Sequence, residues 1–500
     1  MFVSHFFSLF FTLTVLFSLS LSGQTKSDGC LESLRIAVTK IPKSLDPLEP
    51  LMFTEVSLVK LVTRTLVSID ESGSINSELA KSWSIANEGR TYTFKVAKAK
   101  FSNGDTVTAH DIALSLSRRL TFRRHKKSGN NLLQQIITGA DKTTSGRIPV
   151  GIKVLNSNTL EINLNRAYQP FLEELSYPLW GIVKVLPNKT IVTTGDYIYR
   201  QNEEEGYFQK INQASSCKPK RIVLSKYNLT TEVVKSLQDG VIDIAIGYHT
   251  QKEPDKRYRQ LNISGFGFVH YFFNRNSWIS KHPKLRIDLK KALRQFNSNF
   301  KYSVTSMSDI EGFFPPGIVP FDKKKTSRTK YMDAREFKER WASIIKSRKL
   351  HFIGLPFFND KLYPKKLTKF LRELGFDDAE VEYYRDPVKS ENTGKYDLIG
   401  LVYSGTSPDP ESYLHPLIND SSFKYIMTLD LKNSIDKIRW EDNKYIRLSG
   451  YRDALDKFYS RGGFIPIAKI KAPILLRNGL HIDSNDFMYE IDLSSIRTGQ

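Results

Sequence analysis

The chain has 500 residues, more than one compact core usually needs, so we expect two or three domains. Lysine and arginine number 74 against 53 acidic residues, which gives a formal charge of +21, and 40% of the residues are hydrophobic. An aromatic content of 12% argues against disorder, a mean hydropathy of -0.36 argues against a multi-pass membrane protein, and two cysteines are too few for a disulfide-stapled scaffold.

The N-terminus carries an uncharged apolar run from Phe6 to Leu21. The run fits the hydrophobic region of a secretory signal but is short for a transmembrane helix, and Ser20-Leu21-Ser22 fits a cleavage site. We therefore predict a cleaved signal peptide over residues 1–22 and a periplasmic or cell-envelope protein, with an uncleaved anchor as the alternative. Charged residues just before Cys30 argue against a lipid anchor.

Export would place both cysteines in an oxidising compartment. Cys30 and Cys217 could then form one disulfide, or both could stay reduced. The sequence leaves this pairing open.

The first third of the mature chain mixes strands, turns and helices. We predict a strand over Leu34–Val38, a helix over 53–65, and an alternating strand over 91–96. Asn103-Gly104 is typical of a turn with positive φ, and the sequence from Thr108 to Asp111 is typical of a helix start. We expect Asp46, Asp105 and Asp111 to be structural rather than ligand-contacting.

The later part alternates helices that stop at glycine with buried strands, the pattern of an α/β sheet. The predicted elements are a strand over 159–164, a helix over 230–237 with a strand over 242–246, a helix over 365–374, and strands over 381–384 and 396–402.

The densest basic stretches, 118–127 and 323–330, are interpreted as solvated surface, as is the helix face with Lys290 and Lys291.

Several short motifs follow one another between residues 34 and 119. They are Ser44-Leu45-Asp46-Pro47, Glu78-Leu79-Ala80-Lys81-Ser82-Trp83, Tyr92-Thr93-Phe94-Lys95-Val96, Phe101-Ser102-Asn103-Gly104-Asp105 and Val107-Thr108-Ala109-His110-Asp111. Their order and spacing resemble the N-terminal lobe of the family 5 extracellular solute-binding proteins, the oligopeptide-, dipeptide- and nickel-binding proteins of ABC importers. Weaker agreement continues to about residue 470.

The resemblance implies an α/β fold, a two-lobed periplasmic-binding-protein clamp of type II, in the large variety with an inserted subdomain. Lobe I would comprise 30–63, 191–272 and 462–500, the inserted subdomain 64–190, and lobe II 273–461. The implied function is capture of a peptide-like or other small solute by lobe closure and its delivery to an ABC importer permease. We expect a monomer.

The resemblance also suggests ligand-binding positions. In the family's peptide receptors, a Gly-Trp-x-x-Asp segment precedes an Asp-Pro step, and its aspartate pairs with the peptide's α-amino group. The corresponding positions here are Tyr403, Thr406, Ser407 and Asp409, with Tyr403 in place of the tryptophan and Thr406 in place of that aspartate. A threonine cannot balance an ammonium group, so we expect peptides with a free amino terminus to bind poorly. Alternatively, Tyr403 and Thr406 only end a strand.

Catalytic and metal motifs are absent from the sequence. There is no Gly-x-Ser-x-Gly elbow, P-loop or His-Glu-x-x-His, and no two histidines have ligand spacing. We therefore expect no enzyme activity, no cofactor, no metal and no nucleic-acid partner. The alternative function, a secreted interaction protein or enzyme that keeps the fold but has lost transport, is favoured by the missing aspartate and the high charge.

Overall fold

The computed structural model describes most of the chain after the predicted signal peptide. The described residues are 31–49, 53–70, 72–122, 132–202, 205–212, 218–248, 258–300, 307–308, 310, 312–314, 318–319, 331–354, 362–383, 395–403, 405, 409–419, 428–485 and 490–498. The predicted signal peptide, both cysteines and most of the two basic stretches lie outside these ranges.

The strands of the first half precede a long central strand. They are β1 (Ser33–Val38), β2 (Val67–Ile69), β3 (Ile75–Ser77), β4 (Ala80–Ala86), β5 (Thr91–Val96), β6 (Ile152–Asn156), β7 (Thr159–Asn163), β8 (Val183–Val185), β9 (Ile191–Thr193), β10 (Tyr197–Gln201), β11 (Glu205–Lys210), β12 (Arg221–Lys226) and β13 (Ile244–Ile246). The remaining strands are β14 (Tyr258–Phe273), β15 (Met307–Ser308), β16 (Leu350–Gly354), β17 (Ala379–Tyr383), β18 (Leu398–Tyr403), β19 (Phe464–Arg477), β20 (Leu480–Asn485) and β21 (Glu490–Thr498).

The α-helices lie between these strands and cover their faces. They are α1 (Phe53–Val62), α2 (Ala109–Thr121), α3 (Leu132–Ile136), α4 (Phe171–Leu175), α5 (Thr230–Gln238), α6 (Pro283–Asn299), α7 (Ala334–Ile345), α8 (Leu362–Glu373), α9 (Pro410–Asn419), α10 (Leu429–Ile438) and α11 (Lys444–Ser460). Short 3-10 turns occupy Ala140–Lys142, Pro178–Trp180 and Trp278–Lys281.

One mixed sheet runs through the molecule in the order β10-β11-β12-β1-β13-β19-β14-β18-β16-β17, with β15 also on β19. In its first half β1 pairs in parallel with β12 and β13, and in its second half β16 pairs in parallel with β17 and β18. The long antiparallel strands β14 and β19 join the halves, with an irregular register between Ile263 and Gly267. The sheet therefore has two halves, each with its own helices, and two strands link them.

A separate four-stranded sheet, in the order β4-β5-β7-β6, packs with α2, α3 and α4 within residues 64–190, the range predicted for the subdomain. Its own hydrophobic core includes Phe94, Ile112 and Leu160, each fully buried. The first lobe packs its core around β1 and β12, and the second lobe around α6 and β16. Each unit therefore buries its own apolar faces.

The predicted elements are found, with shifts at their ends. The strand over 91–96 and the helix starts at residues 109 and 230 agree with prediction, and Gly240 and Gly375 follow their helices with φ of 68° and 98°. Helix α1 ends three residues early, at Val62, because Arg64 N donates to Thr194 Oγ1 (2.9 Å) instead of continuing the helix. No helix within the described ranges combines the length and apolar character that a membrane crossing requires.

Candidate functional site

The segment between β18 and α9 holds the predicted ligand-binding positions. β18 ends at Tyr403, whose backbone is paired with Phe268 of β14. Gly405 is buried, and a Cβ there would overlap the Tyr413 ring and the Ser412 hydroxyl, so only glycine fits. Thr406 and Ser407 lie outside the described residues.

Asp409 starts helix α9. Its Oδ1 accepts from Glu411 N (2.9 Å), and its backbone carbonyl accepts from the Ser412 hydroxyl (2.8 Å), so two groups of the first turn are satisfied. Pro410 stands at the first helical position, where its missing N–H costs nothing. The Asp-Pro step of the motif therefore has a local structural role.

Asp409 is also one half of a buried ion pair. Arg447 of α11 donates from Nη1 to Asp409 Oδ1 (3.1 Å) and from Nη2 to Oδ2. The two side chains are 1% and 7% exposed. Such a pair is costly to break by removing one partner, because the other charge stays buried.

A second ion pair involves Glu411, two residues further on in the first turn of α9. Glu411 Oε1 accepts from Arg439 Nε (2.8 Å), and Glu411 Oε2 accepts from the Tyr451 hydroxyl (2.7 Å). His415 Nδ1 lies 3.5 Å from Glu411 Oε1. Burial would raise the pKa of Glu411, but the hydrogen bond from His415 and the charge of Arg439 outweigh burial and lower it to about 2.

The inserted subdomain meets the second lobe beside these pairs. Arg447 Nη2 also donates to Gln169 Oε1 (3.0 Å), and the Arg166 guanidinium lies 3.9 Å from the centre of the Trp440 ring. The Trp440 ring also makes an edge contact with Tyr168, at 6.3 Å between centroids. These contacts place the two units against each other along this edge.

The predicted site residues are thus placed only in part. Tyr403 ends a strand, as the alternative interpretation holds, and its side chain lies outside the described set. Asp409 is described, and its carboxylate is engaged by Arg447. Ligand contact by Tyr403, Thr406, Ser407 and Asp409 stays a prediction.

Arg447, Arg439 and Gln169 were not identified from the sequence. Arginines on helices are usually solvated, and nothing in the local pattern marks Arg447 as buried. A weak indication was available, since two acids two positions apart, Asp409 and Glu411, stand at the start of an apolar helix and need partners if that helix is buried.

The interpretation of Lys290 as solvated is wrong. Lys290 is 5% exposed, its Nζ donates to Tyr459 O (2.6 Å), and it lies 3.6 Å from the centre of the Tyr459 ring. Burial lowers its pKa to about 8. Position 290 faces inward because α6 packs on β19. Lys291 remains partly exposed, and its Nζ lies 3.0 Å from Asp288 Oδ1.

Arg118, at the start of the first basic stretch, is only partly exposed and forms an ion pair. It donates from Nη1 to Asp46 Oδ1 (2.8 Å) and from Nη2 to Oδ2, and Asp46 itself is 6% exposed. Asp46 Oδ1 further accepts from Leu48 N (3.1 Å), which closes the turn after Ser44. The prediction that Asp46 has a structural role agrees with these contacts.

The predicted turn and cap before α2 are confirmed. Gly104 has φ of 93°, and Asp105 N donates to Asn103 Oδ1 (3.1 Å). Thr108 and Asp111 form a reciprocal capping box, with Asp111 N donating to Thr108 Oγ1 (3.2 Å) and Thr108 N donating to Asp111 Oδ2 (3.0 Å). Within the described ranges, no group of three or more His, Cys, Asp or Glu side chains could hold a metal ion.

Comparison with known families gives a match over most of the chain. Residues 74–425 match the model described as bacterial extracellular solute-binding proteins, family 5, middle. The oligopeptide-binding protein AliB of Streptococcus pneumoniae serotype 4 is 31% identical over 512 residues, which cover 96% of this chain and 76% of that protein.

A second relative and a solved structure add to this. The nickel-binding periplasmic protein of Escherichia coli K12 is 32% identical over 143 residues, a match that spans 28% of this chain and only 25% of that protein. The periplasmic binding protein DppA of Helicobacter pylori, solved with the peptide STSA, superposes with a TM-score of 0.76 over 94% of this chain and 99% of that one at 16% identity. The last comparison shows the two-lobed fold.

Proposed function

The chain belongs to family 5 of the bacterial extracellular solute-binding proteins, and we propose that it captures a small solute between its lobes and delivers it to an ABC importer permease. The two strands that join the halves of the sheet support this proposal, because two thin connections allow the lobes to close on a ligand. The protein would act as an exported monomer, released from a signal peptide over residues 1–22, with lobe I at 30–63, 191–272 and 462–500, the subdomain at 64–190 and lobe II at 273–461.

The proposed ligand is a peptide-like or other small solute without a free ammonium group. The single observation that carries this is the state of the acids beside the predicted site. Asp409 is held by Arg447 and Glu411 by Arg439, each in a buried pair, so neither carboxylate has a full charge left for an ammonium group. Thr406, in the position of the family's pairing aspartate, brings no charge. A net charge of +21 adds a long-range field that favours anions, although salt screens it beyond about 10 Å.

The test is isothermal calorimetry with matched peptides that carry either a free or an acetylated amino terminus. We expect the acetylated or acidic peptides to bind better to the unaltered protein. Thr406→Asp should shift the preference toward the free amine by about 1–3 kcal/mol if the new pair is desolvated and hydrogen-bonded. Ser407→Asp adds the same charge one position later and serves as the matched control.

A preference of the unaltered protein for the free amine would contradict the proposal. It would mean that another carboxylate pairs with the ligand and that Thr406 is not the counterpart of the family's aspartate. An absence of binding by both peptide sets would instead leave a non-peptide solute, to be sought among anionic compounds of the cell envelope.

A further inference from the structure

We propose that Arg447 is a positioning residue that couples the end of the predicted ligand-binding segment to lobe closure, by holding Asp409 and Gln169 at once. This inference rests on the proposed function, since it assumes that the cleft between subdomain and second lobe closes on a solute. It assigns to Arg447 the contact that links lobe closure to Asp409.

The geometry gives Arg447 two partners on two different bodies. Asp409 lies 38 residues before it within the second lobe, while Gln169 lies 278 residues before it in the subdomain. One guanidinium nitrogen, Nη2, donates to both. Asp409 therefore keeps its partner in any conformation, whereas the bond to Gln169 exists only while the subdomain is in contact.

The side chains where the subdomain meets the second lobe are shielded from solvent. The Arg447 side chain is 1% exposed, although Tyr445 and Ile446 in the same first turn of α11 are 81% and 60% exposed. Tyr168, next to Gln169, is also 1% exposed and belongs to the subdomain core, on which Trp440 packs. Separation of the two bodies would increase the exposure of Arg447, Tyr168 and the partly buried Trp440 together, so we infer that their packing depends on closure.

Trp440 forms the second point of contact. The Arg166 guanidinium of the subdomain lies 3.9 Å from the centre of its ring, and the Arg439 guanidinium of the second lobe lies 5.8 Å from it. Arg439 in turn holds Glu411. Both buried ion pairs that flank the start of α9 thus reach the subdomain, one through Gln169 and one through Trp440 and Arg166.

This arrangement gives the site two states. With the cleft closed, Asp409 is fixed by an arginine whose Nη2 also donates to Gln169, so Asp409 is held in one position. With the cleft open, water replaces Gln169, and Arg447 gains freedom to move with its helix. Solutes that bind the first arrangement better shift the protein toward it.

The test measures lobe separation without any ligand, by single-molecule energy transfer. Dyes are placed at Val150→Cys in the subdomain and Leu429→Cys in the second lobe, which are 72% and 65% exposed, in a protein with Cys30→Ser and Cys217→Ser. Gln169→Met keeps the length of the side chain but removes the acceptor. We expect it to raise the ratio of open to closed molecules about tenfold, the effect of losing one charge-assisted hydrogen bond.

Two further variants separate positioning from general stability. Gln169→Glu keeps an acceptor at the same distance and should retain the closed population. Arg452→Met removes an arginine from the same helix whose partners are Asp453 and Ser449, both within the second lobe, and should leave the ratio unchanged. Arg447→Met also strands Asp409 in the interior and is expected to lower the melting temperature, so it is not the deciding variant.

An unchanged ratio in Gln169→Met would overturn the inference, as would an equal rise in Arg452→Met. Because no solute is added, this result is independent of the proposed ligand. A tenfold shift together with failure of every solute to bind would support the role of Arg447 in closure and refute solute capture. Solute binding with no shift would support solute capture and refute the role of Arg447.

Discussion

Replacement of Arg439 by methionine tests the buried pair at Glu411 most sharply. Methionine keeps much of the side chain's volume but leaves Glu411, 1% exposed, with the Tyr451 hydroxyl and His415 as its side-chain polar partners among the described residues. Removal of one member of a buried pair costs about 3–5 kcal/mol at neutral pH, because the remaining charge is desolvated and uncompensated.

The pH dependence should reverse in the variant. In the unaltered protein the pKa of Glu411 is lowered from 4.5 to about 2, so its contribution, about 3 kcal/mol, is present above pH 4.5 and is lost as the pH falls toward 2. Without Arg439, burial dominates and the pKa of Glu411 should rise above 4.5. The variant then gains stability relative to the parent as the pH falls from 7 to 4.5, because its buried carboxylate becomes neutral.

Calorimetric melting of both proteins at pH 7 and pH 4.5 measures this difference. We expect the variant to melt about 3–5 °C lower at pH 7 and to recover part of that gap at pH 4.5. The same comparison with His415→Gln in both proteins removes the imidazole that lies 3.5 Å from Glu411 Oε1. Arg452→Met is the control for loss of an arginine from this region. A gap that is equal at both pH values would refute the assignment of Glu411 as a charged, Arg439-dependent group.

Two other substitutions follow from the geometry. Gly104→Val should destabilise the protein by about 1–2 kcal/mol, since valine is strained at φ of 93°, with little change in solute affinity; a large affinity loss at an unchanged melting temperature would contradict a structural role. Lys290→Met should raise the melting temperature at pH 7, because the lysine's pKa of about 8, below its usual 10.5, means that burial of the charged form costs stability below pH 8. That cost is relieved as the pH rises from 8 to 10.5, so an equal gain at pH 7 and pH 10.5 would argue against it.

Local features of the fold could be predicted from the sequence because short segments determine them. The capping box at Thr108 and Asp111 and the glycine stops at Gly240 and Gly375 depend on residues a few positions apart. The main sheet could be inferred only as an α/β arrangement. Its strand order, in which β19 joins β13 and β14, depends on contacts between distant parts of the chain.

The candidate site was less predictable for the same reason. The motif around Asp409 was visible, but its partner Arg447 is 38 residues away and Gln169 a further 240 back, and no local pattern encodes either pairing. Lys290 shows the converse error. A lysine next to another lysine on a helix is usually solvated, yet this one lies where α6 meets β19 and finds the Tyr459 carbonyl.

Native mass spectrometry of the protein purified from its own cell envelope tests the central claim, capture of a solute without a free ammonium group. We predict one bound solute per chain that is released on unfolding and does not react with amine-specific reagents. A bound peptide with a free amino terminus would contradict the proposed ligand class. A protein that carries no solute, even after incubation with envelope extract, would contradict solute capture itself.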